Sequence, residues 1–73
     1  MISYYEVQAE TNDGEHIRKH YNADVRSAAC AAAAKLSKEH IVAYVVAFSG
    51  DGKPVSQRVY GEGSFLREET EPS

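Results

Sequence analysis

Ala23-Asp24-Val25-Arg26-Ser27-Ala28-Ala29-Cys30-Ala31-Ala32-Ala33-Ala34-Lys35-Leu36 reads as one helix with almost no side-chain bulk. Alanine is the strongest helix former, and a run of it lets a helix lie close against another backbone. Asp24 stands where an N-cap belongs, its carboxylate placed to accept from the amides near Arg26 and Ser27 and favoured by the positive end of the helix dipole. The helix is then expected to start at Val25 and run to Lys38 or Glu39, with Lys35, Lys38 and His40 toward the end that favours cations. Val25, Ala29, Ala32, Ala33 and Leu36 line one stripe, while Arg26, Lys35 and Lys38 mark the solvent side.

The flanks of this helix alternate. From Ser3 to Glu10, Tyr5, Val7 and Ala9 interleave with Tyr4, Glu6, Gln8 and Glu10, the period of a half-buried strand. Thr11-Asn12-Asp13-Gly14-Glu15 is a tight turn, and His16 to Ala23 returns with Ile17, Tyr21 and Ala23 on one face. Lys19 breaks that pattern, as an edge position or a bulge would. Ile41 to Phe48 is apolar on both alternations and reads as an interior strand covered on both sides. After the turn Ser49-Gly50-Asp51-Gly52-Lys53, Pro54 to Tyr60 carries Val55 and Val59 on one face and Ser56, Arg58 and Tyr60 on the other. Gly61-Glu62-Gly63 ends the pattern; Ser64-Phe65-Leu66 is expected to tuck back and Arg67 to Ser73 to be disordered. The expected fold class is α+β: one domain over residues 1–66, a single four-stranded antiparallel sheet in the order ββαββ with the Ala-rich helix on one face, and an acidic tail over 67–73.

Composition narrows the function. A chain of 73 residues buries a small fraction of its surface, and such chains are commonly braced by disulfides, a metal or self-association. Cys30 is the lone cysteine, so an internal disulfide and cysteine-cluster zinc sites are excluded and self-association is favoured. A lone thiol, and an N-terminus Met1-Ile2-Ser3-Tyr4 without a basic-then-apolar layout, point to a cytoplasmic protein. The run Ile41 to Phe48 falls far short of the roughly 20 residues a membrane-crossing helix needs, so no membrane span is expected. The formal net charge is -3, but residues 16–61 hold Arg18, Lys19, Arg26, Lys35, Lys38, Lys53 and Arg58 against Asp24, Glu39 and Asp51, so the termini supply the excess acid.

No catalytic constellation is expected, nor any cofactor. His16 and His20 have a spacing that brings ligands together on a helix; on a strand, at about 3.3 Å per residue, they stand roughly 13 Å apart, too far for one ion. A nucleophilic thiol needs a neighbouring cation or a helix N-terminus, whereas Cys30 lies mid-helix among alanines. Glu6, Glu10 and Glu39 occur singly, and neither Asp51-Gly52-Lys53 nor Gly61-Glu62-Gly63 has the layout of a phosphate-binding loop.

Surfaces remain. If Val7, Ala9, Ile17, Val55 and Val59 pack under the helix, then Tyr4, Arg18, His20, Arg58 and Tyr60 lie on the opposite face. They are joined there by either Val42, Tyr44, Val46 and Phe48 or Ile41, Ala43, Val45 and Ala47. One helix covers one face, so apolar area is expected on the other, where tyrosine and arginine are typical interface anchors. Tyr4, Arg18, Tyr44, Arg58 and Tyr60 are the expected contacts of a protein partner, a nucleoprotein complex or a second copy in a homodimer. The alternative is nucleic-acid binding through Arg18, Lys19, Arg26, Lys35, Lys38 and Arg58.

With two hairpins flanking the helix, and with Tyr21-Asn22-Ala23-Asp24 leading into it, residues 2 to 60 resemble the small ββαββ proteins that phages and mobile elements encode, some anti-CRISPR proteins among them. What that resemblance implies is a non-enzymatic inhibitor that occludes a surface of a larger complex. No family site residue carries over onto these positions.

Overall fold

A computed structural model describes residues 2–11, 13–39 and 42–70. Strands β1 (Ile2–Glu10) and β2 (His16–Asn22) precede a short 3-10 turn (Ala23–Val25) and helix α1 (Arg26–Glu39). Strands β3 (Ala43–Ser49), β4 (Pro54–Gly61) and β5 (Ser64–Thr70) follow. They form one antiparallel sheet in the order β2-β1-β3-β4-β5. His40 and Ile41, expected at the helix end and the strand start, lie outside the described residues, as do Asn12 of the first turn and residues 71–73 of the expected tail.

The expected four-stranded ββαββ sheet is therefore corrected to five strands. Gly61-Glu62-Gly63, read as a break, is a two-residue hairpin loop: Gly61 pairs with Ser64, and Glu62 and Gly63 between them both take positive φ, 55° and 82°. That is the backbone of a type I′ turn, whose twist matches the strands it joins. β5 is then held by cross-strand contacts. The Phe65 ring meets Tyr60 edge-on at 5.8 Å, the Arg58 guanidinium lies 4.2 Å over Phe65 and 3.3 Å from Glu68, and Gln57 donates to Glu69 at 2.5 Å. Arg67 to Thr70, expected in the tail, belong to this strand. Across the residues that carry the resemblance the order is β1, β2, α1, β3, β4, and β5 follows it.

The two other tight turns share one backbone pattern. In each, the first residue donates to the carbonyl four places on and accepts from the amide three places on: Thr11 with Glu15 and Gly14, Ser49 with Lys53 and Gly52. Gly14 and Gly52 take φ of 88° and 81°, the left-handed position that closes a three-residue hairpin loop.

Asp24 is not the N-cap. β2 stays paired as far as Asn22, opposite Tyr4, so the chain turns at Asn22 into the 3-10 turn, and Asn22 makes no side-chain cap. Asp24 falls within the first turn, where its charge still meets the positive end of the dipole.

The inward helix line is Ala29, Ala33 and Ser37, with Ala32 and Leu36 on one flank and Cys30 and Ala34 on the other, while Val25 is exposed. Ala29 and Ala33 lie against Val7, Ala9, Ala43 and Val45. So much small side chain would leave the layer hollow, and the Tyr60 ring, only 5% exposed, fills it. Ser37 is buried and pinned from both sides: its Oγ donates to the Ala34 carbonyl at 2.8 Å and accepts the Gly63 amide at 2.9 Å. The helix end is thereby tied to the β4–β5 turn.

Candidate functional site

Register decides which side chains share a face, because directly paired residues of antiparallel strands point the same way. Ala43, Val45 and Ala47 of β3 oppose Ala9, Val7 and Tyr5 of β1 and face the helix. Ala43 also opposes Tyr60, and Val45 opposes Arg58, so both of these expected partner contacts lie on the helix side, not on the open face. The expected placement of Val59 under the helix is reversed with them. Tyr4, Arg18 and Tyr44 do share the face that the helix leaves uncovered, with His16, His20, Val46 and Phe48.

At one end of that face three rings stack across three strands: Tyr4 with Phe48 at 4.8 Å and 9°, and Tyr4 with His20 at 4.9 Å and 27°. Next to them Glu6 accepts from Arg18 at 3.0 Å and from Gln8 at 2.8 Å. One row across the sheet reads Arg18, Gln8, Tyr44, Val59, Arg67, and the row beside it reads His20, Glu6, Val46, Gln57, Glu69. Val59, although no helix lies above it, is 1% exposed, flanked in its row by Tyr44 and Arg67. The face is thus less apolar than the sequence suggested: long polar side chains stand beside its two valines. Leu66 approaches Gly61, where a Cβ would come within 2.9 Å of it, but is itself 54% exposed and does not seal the face.

Gln57 holds the Glu69 carboxyl below the usual carboxylate range, and Arg67, 3.0 Å away, adds to the effect. Ser49 does the same for Asp51 in the β3–β4 turn. On the helix side, burial pushes the Tyr60 hydroxyl above its ordinary value, the neighbouring Cys30 thiol adds to the rise, and Arg58 opposes it. The Tyr60 hydroxyl accepts from Arg58 Nε at 3.4 Å and in turn raises the pKa of the guanidinium. Cys30 is half-buried beside this pair.

The residues of the alternative nucleic-acid surface are scattered. Arg18 is on the open face and paired with Glu6; Lys19 and Lys35 line a cleft between β2 and α1; Arg26 and Arg58 line another groove by the helix start; Lys38 lies against Gly63. His16 and His20 both point to the open face, and among the described residues no three His, Cys, Asp or Glu side chains gather as metal ligands. Nor is any described helix long and apolar enough to cross a membrane.

Sequence reading missed Phe48 as a partner of Tyr4, and Gln57, Arg67 and Glu69 as part of the face. The sequence leaves the β3 alternation open, and Phe48 shares its face with Tyr44; Gln57 follows from pairing with Val46, whereas Arg67 and Glu69 need β5. No protein-family model, curated protein or solved structure matches the chain.

Proposed function

We propose that this chain is a non-enzymatic protein-binding module that occupies a surface of a larger partner with its helix-free sheet face. The observation that carries the reading is the gathering of Tyr4, Arg18 and Tyr44 on one face of the sheet, beside stacked Phe48 and His20. Tyrosine and arginine supply large contact area and directional hydrogen bonds, and they recur among the anchors of protein interfaces. Arg18 has a side chain 71% exposed, so a partner carboxylate can reach it although Glu6 already accepts from it.

Capture from the native host tests the reading. A specific partner should co-purify with the wild-type chain and be lost when Tyr44→Ala and Arg18→Glu are combined. It should be retained by Ala31→Glu, which changes the outer side of the helix. Retention by the open-face variant and loss with the helix variant would reject the proposal.

A further inference from the structure

β2 is an edge strand, paired with β1 at seven consecutive positions without a bulge or proline, so its outer backbone groups form a regular row with no strand beside it among the described residues. Such an edge is a template for another strand. Alongside it, on the helix side, a cleft of about 320 Å³ opens between β2 and α1, floored by Ile17, Ala32 and Leu36 and rimmed by Lys19, Lys35 and Glu39. On the other side of the same strand stand His16, Arg18 and His20. An exposed strand edge next to a groove under a helix is the arrangement in which an added strand gains main-chain hydrogen bonds while its alternate side chains enter the groove.

We propose that the β2 edge and this cleft receive an extended acidic segment of a partner protein, carrying one small aliphatic side chain followed by carboxylates. The aliphatic group sits beside Ile17 on the floor of the cleft, and the next two residues bring carboxylates to Arg18 on one face and Lys19 on the other. Charge selects this occupant. Rim and edge carry Lys19, Lys35 and Arg18 against Glu39, with Glu6 already engaged by Arg18. A second copy of β2 pairing antiparallel about Arg18 would set Arg18 against Arg18 and His16 against His20. The site shares Arg18 with the open-face surface, but its test rests on Lys19, Lys35 and Ala32, which lie on the helix side, and so does not depend on that reading.

The test is a titration of the isotope-labelled full chain with a blocked peptide, Ser-Thr-Val-Glu-Glu-Thr-Ser, followed by NMR. Binding should shift amides of His16–Asn22 and of the C-terminal half of α1, slow hydrogen exchange at alternate β2 amides, and weaken as salt is raised. The counterpart with two lysines for the glutamates should not bind. Lys19→Glu combined with Lys35→Glu should weaken binding by about tenfold or more, as loss of charge complementarity at an interface does. Both positions are exposed, so the fold is expected to survive. Ala32→Leu, which fills the floor, should weaken binding without changing its salt dependence. Equal binding of the acidic and lysine peptides, shifts confined to β5 or the open face, or self-association with no response to peptide would each overturn the proposal.

Discussion

Glu62 is the one described non-glycine residue at positive φ, and it occupies the first position of the turn that creates β5. A side chain there costs roughly 1 kcal/mol that asparagine, which tolerates this backbone, largely avoids. Glu62→Asn should therefore raise stability by about 0.5–1 kcal/mol in a denaturant melt. Gly63→Ala should lower it by more than about 1 kcal/mol, since its φ is positive too and its new Cβ would fall 2.6 Å from Lys38 Cε. Ser37→Ala should cost about 1–3 kcal/mol, because the partly buried Gly63 amide loses its acceptor. Tyr60 gives a pH dependence of known sign. Its hydroxyl is pushed up, so the folded chain prefers the neutral ring; that stabilisation is full below the ordinary value of 10.0 and fades as pH rises through the higher folded value. Wild type should lose stability in alkaline melts above pH about 10, and Tyr60→Phe should lose less over the same window. These residues also show where the sequence is hard to read. Gly61-Glu62-Gly63 lacks the asparagine or aspartate that advertises a type I′ turn, and so the strand beyond it was not foreseen.

At the scale of elements, β1, β2, β3, β4 and the helix were legible because each has a strong period or a strong propensity, and because aspartate-glycine pairs mark two of the turns. The face of β4 was not. Val55-Ser56-Gln57-Arg58-Val59-Tyr60 alternates evenly, and composition favours valine inside, whereas pairing with Ala43 and Val45 puts Tyr60 and Arg58 there instead. Volume explains the choice: a helix of alanines over alanine-rich strands leaves space that a tyrosine ring fills and a valine does not. The same tightness makes Ala33 sensitive, since it has no exposed area and contacts the sheet. Ala33→Leu should lower stability by about 1–3 kcal/mol through overpacking, while Ala31→Leu on the outer side should change it little, as thermal melts of both variants would show. β5 carries acidic side chains at Glu68 and Glu69 and β2 carries Arg18 and Lys19, so both edges bear the charges that discourage indiscriminate strand pairing.

Over the whole molecule, the radius of gyration of 11.6 Å matches the value of about 11 Å that globular domains of this length reach. Acid gathered at both ends of the chain meets base on the sheet: Glu6 binds Arg18, Glu68 binds Arg58, and Glu69 binds Arg67. The charge asymmetry visible along the sequence becomes ion pairing, between neighbouring strands for Arg18 and Arg58 and within β5 for Arg67. What the helix leaves uncovered is the broad face of Tyr4, Arg18 and Tyr44, and its use by a partner is the central claim. The most direct measurement is photo-crosslinking in the native host from a reactive residue installed at position 44, compared with one at position 31 on the outer side of the helix. The account expects a discrete crosslinked protein from position 44 and none from position 31; crosslinking from position 31 alone would contradict it.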